Sequence, residues 1–290
     1  MLDPQLVTQI AISGILAGVV YGSIGLAFVT VFRVTSVINF TQADLGLVGA
    51  FVAISLSRTS IALGLLGAVA ASAAVSAVVY LLVLHPLRHA SLLVKTIALL
   101  GAGIVLGALL HLVYGTNPQI LRPFNDGPPL LLAGAAFPLQ GFWIIGWGIA
   151  LVVGLHAFFE RTLLGRAVQA CAIDRYAASL SGIPVQLMSF AAFVIAGIIS
   201  GVAVTVQAPL SYVTVTSSLA LALKGFIASV LGGGERIGAT MLAGIMLGML
   251  ESFVVLWLPI AFQQIFVLAA LLAILMLRPS GLGRASARGV

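Results

Sequence analysis

Several stretches of this sequence contain no Asp, Glu, Lys or Arg and are long enough to cross a membrane. Three of them cover residues 59–87, 127–159 and 176–223. A helix needs about 20 apolar residues, rising 1.5 Å each, to cross a hydrocarbon core of roughly 30 Å. Charged residues form 7% of the chain, whereas they form about a quarter of a soluble domain. The mean hydropathy of the chain is +1.23. We therefore predict one integral membrane domain over residues 1–290.

The apolar runs are continuous, which favours helices over a β-barrel, whose strands alternate apolar and polar residues. We predict an all-α, polytopic fold with about eight or nine membrane segments, including short broken or re-entrant helices. The segments are predicted near residues 5–31, 44–57, 61–84, 96–114, 142–159, 186–208, 219–231, 239–257 and 264–277.

Segments 44–57 and 219–231 are too short to cross the membrane unaided. The first adjoins the polar stretch INFTQAD and the second adjoins LGGGERIG. Interrupted helices of this kind are typical of a solute path, because unwound backbone needs protein or water to cover it. A re-entrant packing element with no solute nearby explains the pattern equally well.

Small residues recur every four positions at Gly14, Gly18 and Gly22, and again at Gly244 and Gly248. Such spacing lets helix backbones approach closely. It predicts tight helix packing, either within this chain or against a partner.

Basic residues are distributed unevenly between the predicted loops. If the C-terminus is cytoplasmic, only Arg58 and Arg122 lie outside, and Lys224 lies within a segment. The ten other basic residues then lie on the cytoplasmic side, and they are Arg33, Arg88, Lys95, Arg161, Arg166, Arg175, Arg236, Arg278, Arg284 and Arg288. By the positive-inside rule, the N-terminus is predicted outside and the C-terminus in the cytoplasm. No basic cluster is interleaved with aromatic residues, so no nucleic-acid partner is expected.

The sequence contains no pattern typical of catalysis or of a metal site. Cys171 has no CxxC partner, and His85 and His89 flank Pro86 at a predicted membrane edge, where we expect them to be solvated. GGGERIG, residues 232–238, is not followed by the GK[ST] of a phosphate-binding loop. We therefore expect no enzyme activity, no metal and no cofactor in this chain. If ATP drives transport, another subunit must bind it.

Polar and charged residues at membrane depth are candidates for function. Asn39, Gln42 and Asp44 lie beside the first short segment and are candidates for the translocation path. Internal capping of the helix by Asn39 or Asp44 is the alternative. Lys224 and Glu251 are predicted at similar depths of roughly 8 to 9 Å, which favours an intramembrane ion pair. A Lys224 side chain that reaches outward, with Glu251 protonated, is the alternative.

Several segments resemble the LivH-type permeases, the membrane subunits of ABC importers for branched-chain amino acids. The stretch CAIDRYAASLSGIPV, residues 171–185, resembles the cytoplasmic loop of that family. The matching positions are Asp174, Ala177, Ala178, Gly182 and Ile183. INFTQADLGLVGAF (38–51), LKGFIASVLGG (223–233), LGMLES (247–252) and RPSGLGR (278–284) resemble four further family patterns. The chain departs from the family at Gln42 and Asp44, which replace His and Glu, and at the Glu235-Arg236 pair.

The resemblance implies a permease subunit of the cell inner membrane that carries branched-chain amino acids or related small polar solutes. It implies a second related permease, two ATPase subunits that bind ATP and Mg, and an extracytoplasmic solute-binding protein. A secondary transporter or channel that works without an ATPase is the alternative, because Asp44 and Glu251 are carboxylates that coupling ions would need.

The cytoplasmic loop, residues 160–185, is expected to contain the helix that couples the permease to the ATPase. We predict one short helix over residues 171–183, with Ala178 and Gly182 on one face for close approach and Asp174 and Arg175 orienting the contact. An amphipathic helix lying on the membrane surface is the alternative.

Overall fold

A computed structural model describes residues 4–256 except 126, 133 and 235, together with residues 265 and 269. The helices are α1 (Pro4–Thr35), α2 (Gln42–Leu56), α3 (Ile61–Val79, continued by a π-helical turn, Tyr80–Leu84), α4 (Leu92–Tyr114), α5 (Gln140–Arg161), α6 (Leu163–Ile173), α7 (Arg175–Leu180), α8 (Val185–Gln207), α9 (Ser218–Leu231, preceded by a 3₁₀ turn, Val215–Ser217) and α10 (Ile237–Val254). Strands β1 (Leu130–Leu132) and β2 (Ala135–Phe137) form a short antiparallel hairpin. Of the predicted segment 264–277 only residues 265 and 269 are described, and the stretch 278–284 and Glu235 lie outside the described residues.

Six of the described helices are long and apolar enough to cross a membrane. They are α1, α3 with its π-helical turn, α4, α5, α8 and α10. Helices α2 and α9 have 15 and 14 residues, so each is only about 20 Å long. These lengths confirm the predicted all-α, polytopic fold, including its two short segments.

Helix α1 is the central helix of the bundle. Most of its residues from Gly14 onward are buried, and it packs mainly against α10, α8 and α9. Helix α4, by contrast, buries Leu99, Gly103 and Leu110 and leaves most of its apolar surface exposed. The bundle is therefore built around α1, with α4 at its periphery.

The contact between α1 and the antiparallel α10 depends on glycines in both helices. A Cβ atom added at Gly18 would lie 2.5 Å from the Cα atom of Ile245, and one at Gly244 would lie 2.3 Å from the Cα atom of Gly22. Only hydrogen atoms fit between backbones that approach so closely. The four-residue glycine spacing therefore marks a packing face within this chain.

Two of the connections interrupt the helical bundle. Residues 36–41, between α1 and α2, are not helical, and Ser36 has a positive φ of 57°. Residues 208–214, between α8 and the 3₁₀ turn before α9, are also non-helical, and Val213 bridges to Gln119 through two backbone hydrogen bonds of 2.7 and 3.0 Å. Each short helix is thus preceded by a stretch of non-helical backbone.

Helix α2 begins deep inside the bundle. Ser72 Oγ of α3 donates to the carbonyl oxygen of Leu45 at 3.0 Å, and Ser200 Oγ of α8 donates to Oε1 of Gln42 at 3.1 Å. Ser200 lies 15 residues, or about 22 Å, along α8 from its beginning. The first turn of α2 is therefore level with the interior of the spanning helices and not with their ends.

The prediction of one helix over residues 171–183 was wrong, because Asp174 separates α6 from α7. The backbone of Asp174 is extended, and its Oδ1 accepts hydrogen bonds from the amides of Tyr176 at 2.8 Å and Ala177 at 3.1 Å. An Asp side chain that satisfies these first amides caps a new helix. The acid therefore ends one helix and begins the next.

Helix α7 ends in a Schellman motif, so Ala178 and Gly182 do not share a helical face. Gly182 has a φ of 81°, a left-handed conformation that favours glycine. Its amide donates to the carbonyl oxygen of Ser179, and the amide of Ile183 donates to that of Ala178, each at 3.1 Å. Ala178 is buried within the permease bundle, whereas Gly182 lies beyond the helix.

Candidate functional site

Asp44 joins the beginnings of the two short helices. It lies in the first turn of α2, and its Oδ1 accepts a hydrogen bond from Oγ of Ser218, the first residue of α9. The partial positive charge at a helix N-terminus stabilises a carboxylate placed there. Asp44 is only 6% exposed, and no residue that the structure describes forms an ion pair with it.

A cavity of about 390 Å³ borders Asp44, and we call it the Asp44 cavity. It is lined by Phe40, Asp44, Leu100, Gly103, Ile104, Gly107, Ala108, His111, Val215, Thr216, Ser218 and Leu219. A Cβ atom at Gly103 would lie 2.9 Å from Oδ2 of Asp44, so this glycine leaves room for the carboxylate. The Nδ1 atom of His111 is buried and has no hydrogen-bond partner among the described residues.

Asn39 and Gln42 are more completely enclosed than Asp44. Asn39 Oδ1 accepts hydrogen bonds from the amide and the hydroxyl of Thr41, at 3.2 and 2.6 Å, just before α2 begins. Gln42 Oε1 accepts the hydrogen bond from Ser200. The residues are 1% and 0% exposed, and neither is among the residues that line the described cavities. Of the three predicted path residues, Asp44 borders a cavity in the part of the chain that the structure describes.

The structure brings Lys224 and Glu251 together. Lys224 Nζ on α9 contacts Glu251 Oε1 on α10 and donates to the hydroxyl of Tyr21 on α1 at 3.1 Å. It also lies 4.9 Å from the centroid of the Tyr21 ring, within cation–π range. The side chains of Lys224 and Glu251 are 19% and 8% exposed. Three helices thus meet at one cation.

A second cavity, of about 210 Å³, lies beside this ion pair, and we call it the Lys224 cavity. Its lining residues are Tyr21, Leu47, Val204, Gln207, Ser211, Tyr212, Val213, Ser217, Ala220, Leu221 and Lys224. Ser217 lines this cavity, whereas the adjacent Ser218 lines the Asp44 cavity. The beginning of α9 is therefore a wall of both cavities.

The loop between α5 and α8 presents apolar side chains to solvent. Ile173, Tyr176 and Leu180 are each more than 70% exposed. Ala177 is exposed and Ile183 is half-buried. We call this set of three exposed apolar side chains the loop face.

Arg175 attaches α7 to the membrane helices. Its Nη1 donates to the carbonyl oxygen of Thr35, the last residue of α1, and its Nη2 donates to Oγ of Ser189 on α8, each at 3.3 Å. A cation at the C-terminus of a helix is favoured by the partial negative charge there. Arg175 therefore joins the loop to the residue that precedes the interrupted segment 36–41.

Sequence reasoning missed Tyr21, Ser200, Ser218 and His111. A polar stretch followed by Ser217 and Ser218 before an apolar run is a helix-start signal, so it could have indicated where α9 begins. It could not have shown which acid Ser218 contacts. Tyr21 and Ser200 lie among apolar residues and carry no signal of their partners.

No three His, Cys, Asp or Glu side chains lie close enough to hold a metal ion in the part of the chain that the structure describes. His89 Nε2 accepts a hydrogen bond from Nε of Arg88 at 3.0 Å, at the exposed turn after α3. Cys171 is buried in α6 with a free thiol.

Comparison with known proteins identifies the family. The family described as branched-chain amino acid transport system, permease component, matches residues 10–275. This chain belongs to that family. The permease is 27% identical to the high-affinity branched-chain amino acid transport system permease protein BraD of Pseudomonas aeruginosa, over 95% of each chain. It is 25% identical to the LivH protein of the same description from Salmonella typhimurium, over 94% of each chain.

A third relative comes from another organism. A probable branched-chain amino acid transport permease protein LivH of Methanocaldococcus jannaschii is 26% identical, over 89% of this chain and 87% of the relative. No solved structure matches the permease. These relatives are described as transport permeases and not as enzymes. The chain is accordingly a multi-pass membrane permease, one component of an ABC transport system.

Proposed function

We propose that this permease carries a branched-chain amino acid, or a related small polar solute, across the cell inner membrane in an ATP-driven importer. The family match carries the solute class and the ATP dependence, and the meeting of α2 and α9 at Asp44 and Ser218, beside two cavities, supports a solute path through this chain. Non-helical backbone is tolerated at membrane depth where protein or water covers it, and transporters use such breaks for solute sites.

The importer would contain a second related permease, two ATPase subunits and an extracytoplasmic solute-binding protein. ATP and Mg would bind the ATPase subunits, with no cofactor in this chain. The N-terminus would lie outside and the C-terminus in the cytoplasm, which places the α5–α8 loop where an ATPase can reach it. The apolar loop face supports this docking role, because exposed apolar patches mark interaction sites.

Arg175 offers a physical route from the ATPase to the solute path. A displacement of α7 would act on the carbonyl of Thr35 through this side chain. Thr35 is followed by the non-helical segment 36–41, which begins with the positive-φ residue Ser36 and leads to Asp44. In this proposal Asp174 shapes the loop by capping α7, and Arg175 transmits its movement.

Reconstitution into proteoliposomes tests the proposed function. The permease is assembled with its ATPase subunits, second permease and binding protein, with the ATPase subunits facing the vesicle lumen. These vesicles should accumulate L-leucine only when the lumen contains ATP. The permease alone, with an imposed proton or sodium gradient, should not accumulate it. Ion-driven uptake by the chain alone would replace the importer with a secondary transporter, and passive ATP-independent uptake would indicate a channel.

A further inference from the structure

We propose that the Asp44 cavity binds the primary ammonium group of a small aliphatic solute. The inference rests on the proposed transport function, to which it adds the chemical group that the site recognises and the residue that recognises it. Asp44 supplies the negative charge, and the surrounding side chains supply an apolar enclosure.

The charge balance of the Asp44 cavity is the first argument. Its lining contains one carboxylate, that of Asp44, and no Lys or Arg among the residues that the structure describes. The Ser218 hydroxyl is the side-chain donor to this carboxylate, and it occupies Oδ1. An ammonium group carries three donors and a full positive charge. It is the group that complements an acid whose partner is a neutral hydroxyl.

The shape of the cavity is the second argument. Its volume of about 390 Å³ lies within the range of roughly 300 to 1,000 Å³ that is usual for small-molecule sites. Leu100, Ile104 and Leu219 provide aliphatic surface. Phe40 adds an aromatic ring, a group that attracts ammonium ions. An aliphatic amine therefore finds both its charge and its hydrocarbon portion matched.

The neighbouring cavity shows why the choice is an ammonium and not a carboxylate. Lys224 borders the Lys224 cavity, but its charge is already matched by Glu251. The unmatched charge at this level of the bundle is therefore negative. His111, the other titratable residue in the Asp44 cavity, has an unpartnered buried Nδ1 that can accept a hydrogen bond when neutral. It adds to the acceptors available to an ammonium group.

Binding to the purified full-length permease in detergent tests the proposal with three probes. These are 3-methylbutylamine, which has only the amine, 4-methylpentanoate, which has only the carboxylate, and L-leucine, which has both. Isothermal titration calorimetry should detect the amine and L-leucine and should not detect the carboxylate. Binding of the amine alone, without L-leucine, would show a site for free amines. Equal or tighter binding of 4-methylpentanoate would overturn the proposal.

Variants then locate the site. Asp44→Asn, which keeps the shape and removes the charge, should weaken amine binding at least tenfold. Glu160→Gln makes the same change at an exposed acid and should leave binding unchanged. Gly107→Leu should weaken binding by filling the cavity. Because this variant retains Asp44, it provides a second test if Asp44→Asn does not fold. Unchanged amine affinity in folded Asp44→Asn or in Gly107→Leu would overturn the site.

The outcomes of the binding and transport assays separate this inference from the proposed function. ATP-driven L-leucine uptake by the assembled wild-type transporter, with amine binding unaffected by either variant, would overturn the Asp44 site alone. Amine binding that is lost in the variants, with no ATP-driven uptake by the wild type, would overturn the importer function alone.

Discussion

Lys224 has its partners on two other helices. Its ammonium group contacts Glu251 and the hydroxyl of Tyr21, and little of the side chain reaches solvent. Removing one partner of a buried ion pair leaves the other charge without compensation, which is the main source of destabilisation. Oε2 of Glu251 is already buried without a hydrogen-bond partner among the described residues. Loss of Lys224 would therefore leave both carboxylate oxygens of Glu251 without that cation, and we expect it to destabilise the fold.

A double-mutant cycle measures the ion pair. We expect Lys224→Met and Glu251→Gln each to lower the thermal stability of the purified permease, and the double variant to recover part of the loss. A coupling energy of about 0.5 to 3 kcal/mol is expected for residues in contact. Tyr21→Phe, which removes the hydroxyl that accepts a hydrogen bond from the charged Lys224, should cost about 1.5 to 3 kcal/mol. Strictly additive losses would show that the two charges act independently.

At the scale of elements, the α1–α10 contact is expected to tolerate little added volume. Gly244→Ala would place a methyl group 2.3 Å from the backbone of Gly22, so the helices must separate. Overpacking of this kind costs about 1 to 3 kcal/mol. Gly154→Ala on α5 is the control, because an added Cβ there meets nothing within 4 Å. Equal melting temperatures for the two variants would contradict the packing assignment.

The loop face is predicted to dock the ATPase. Tyr176→Asp places a charge in an exposed apolar surface and should reduce co-purification of the ATPase subunits, with the amount of permease in the membrane unchanged. Ser179→Ala, on the same short helix, should have no effect. Gly182→Trp is a weaker test, because Gly182 has a φ of 81° and a substitution there strains the helix end. Full co-purification with Tyr176→Asp would remove the loop face from the docking role.

At the scale of the whole molecule, the uneven distribution of basic residues predicts one orientation in the membrane. Single cysteines at Thr59 and Thr116 should react with a membrane-impermeant maleimide in intact spheroplasts. Cysteines at His89 and Ser181 should react only after the membrane is opened. All four positions are exposed. The reverse pattern would invert the predicted topology.

The native Cys171 gives this experiment a low background. It is the single cysteine of the chain and only 1% exposed. Burial raises the pKa of its thiol, and the positive charge of Arg175 offsets only part of that effect. Because the thiolate is the reactive form, maleimide should modify Cys171 slowly at neutral pH. The unmodified wild-type permease provides the matching control.

The sequence by itself determined the membrane location, the helical class, the approximate segments and the two short helices. These properties depend on local composition and on the length of apolar runs, and both can be read from residues that are adjacent in the sequence. Lys224 and Glu251 could also be paired from the sequence, because depth along a spanning helix is a single coordinate that residue counting supplies.

Only the tertiary structure decided which side chains meet across the bundle. Asp44 contacts Ser218, 174 residues away, because interrupted backbone brings the beginnings of α2 and α9 to the same depth. Ala178 faces the bundle and not a partner, because the Asp174 cap sets where α7 begins and therefore which face it buries. A residue count gives depth along a helix, but rotation about its axis and choice of neighbour are set by the packing of distant segments.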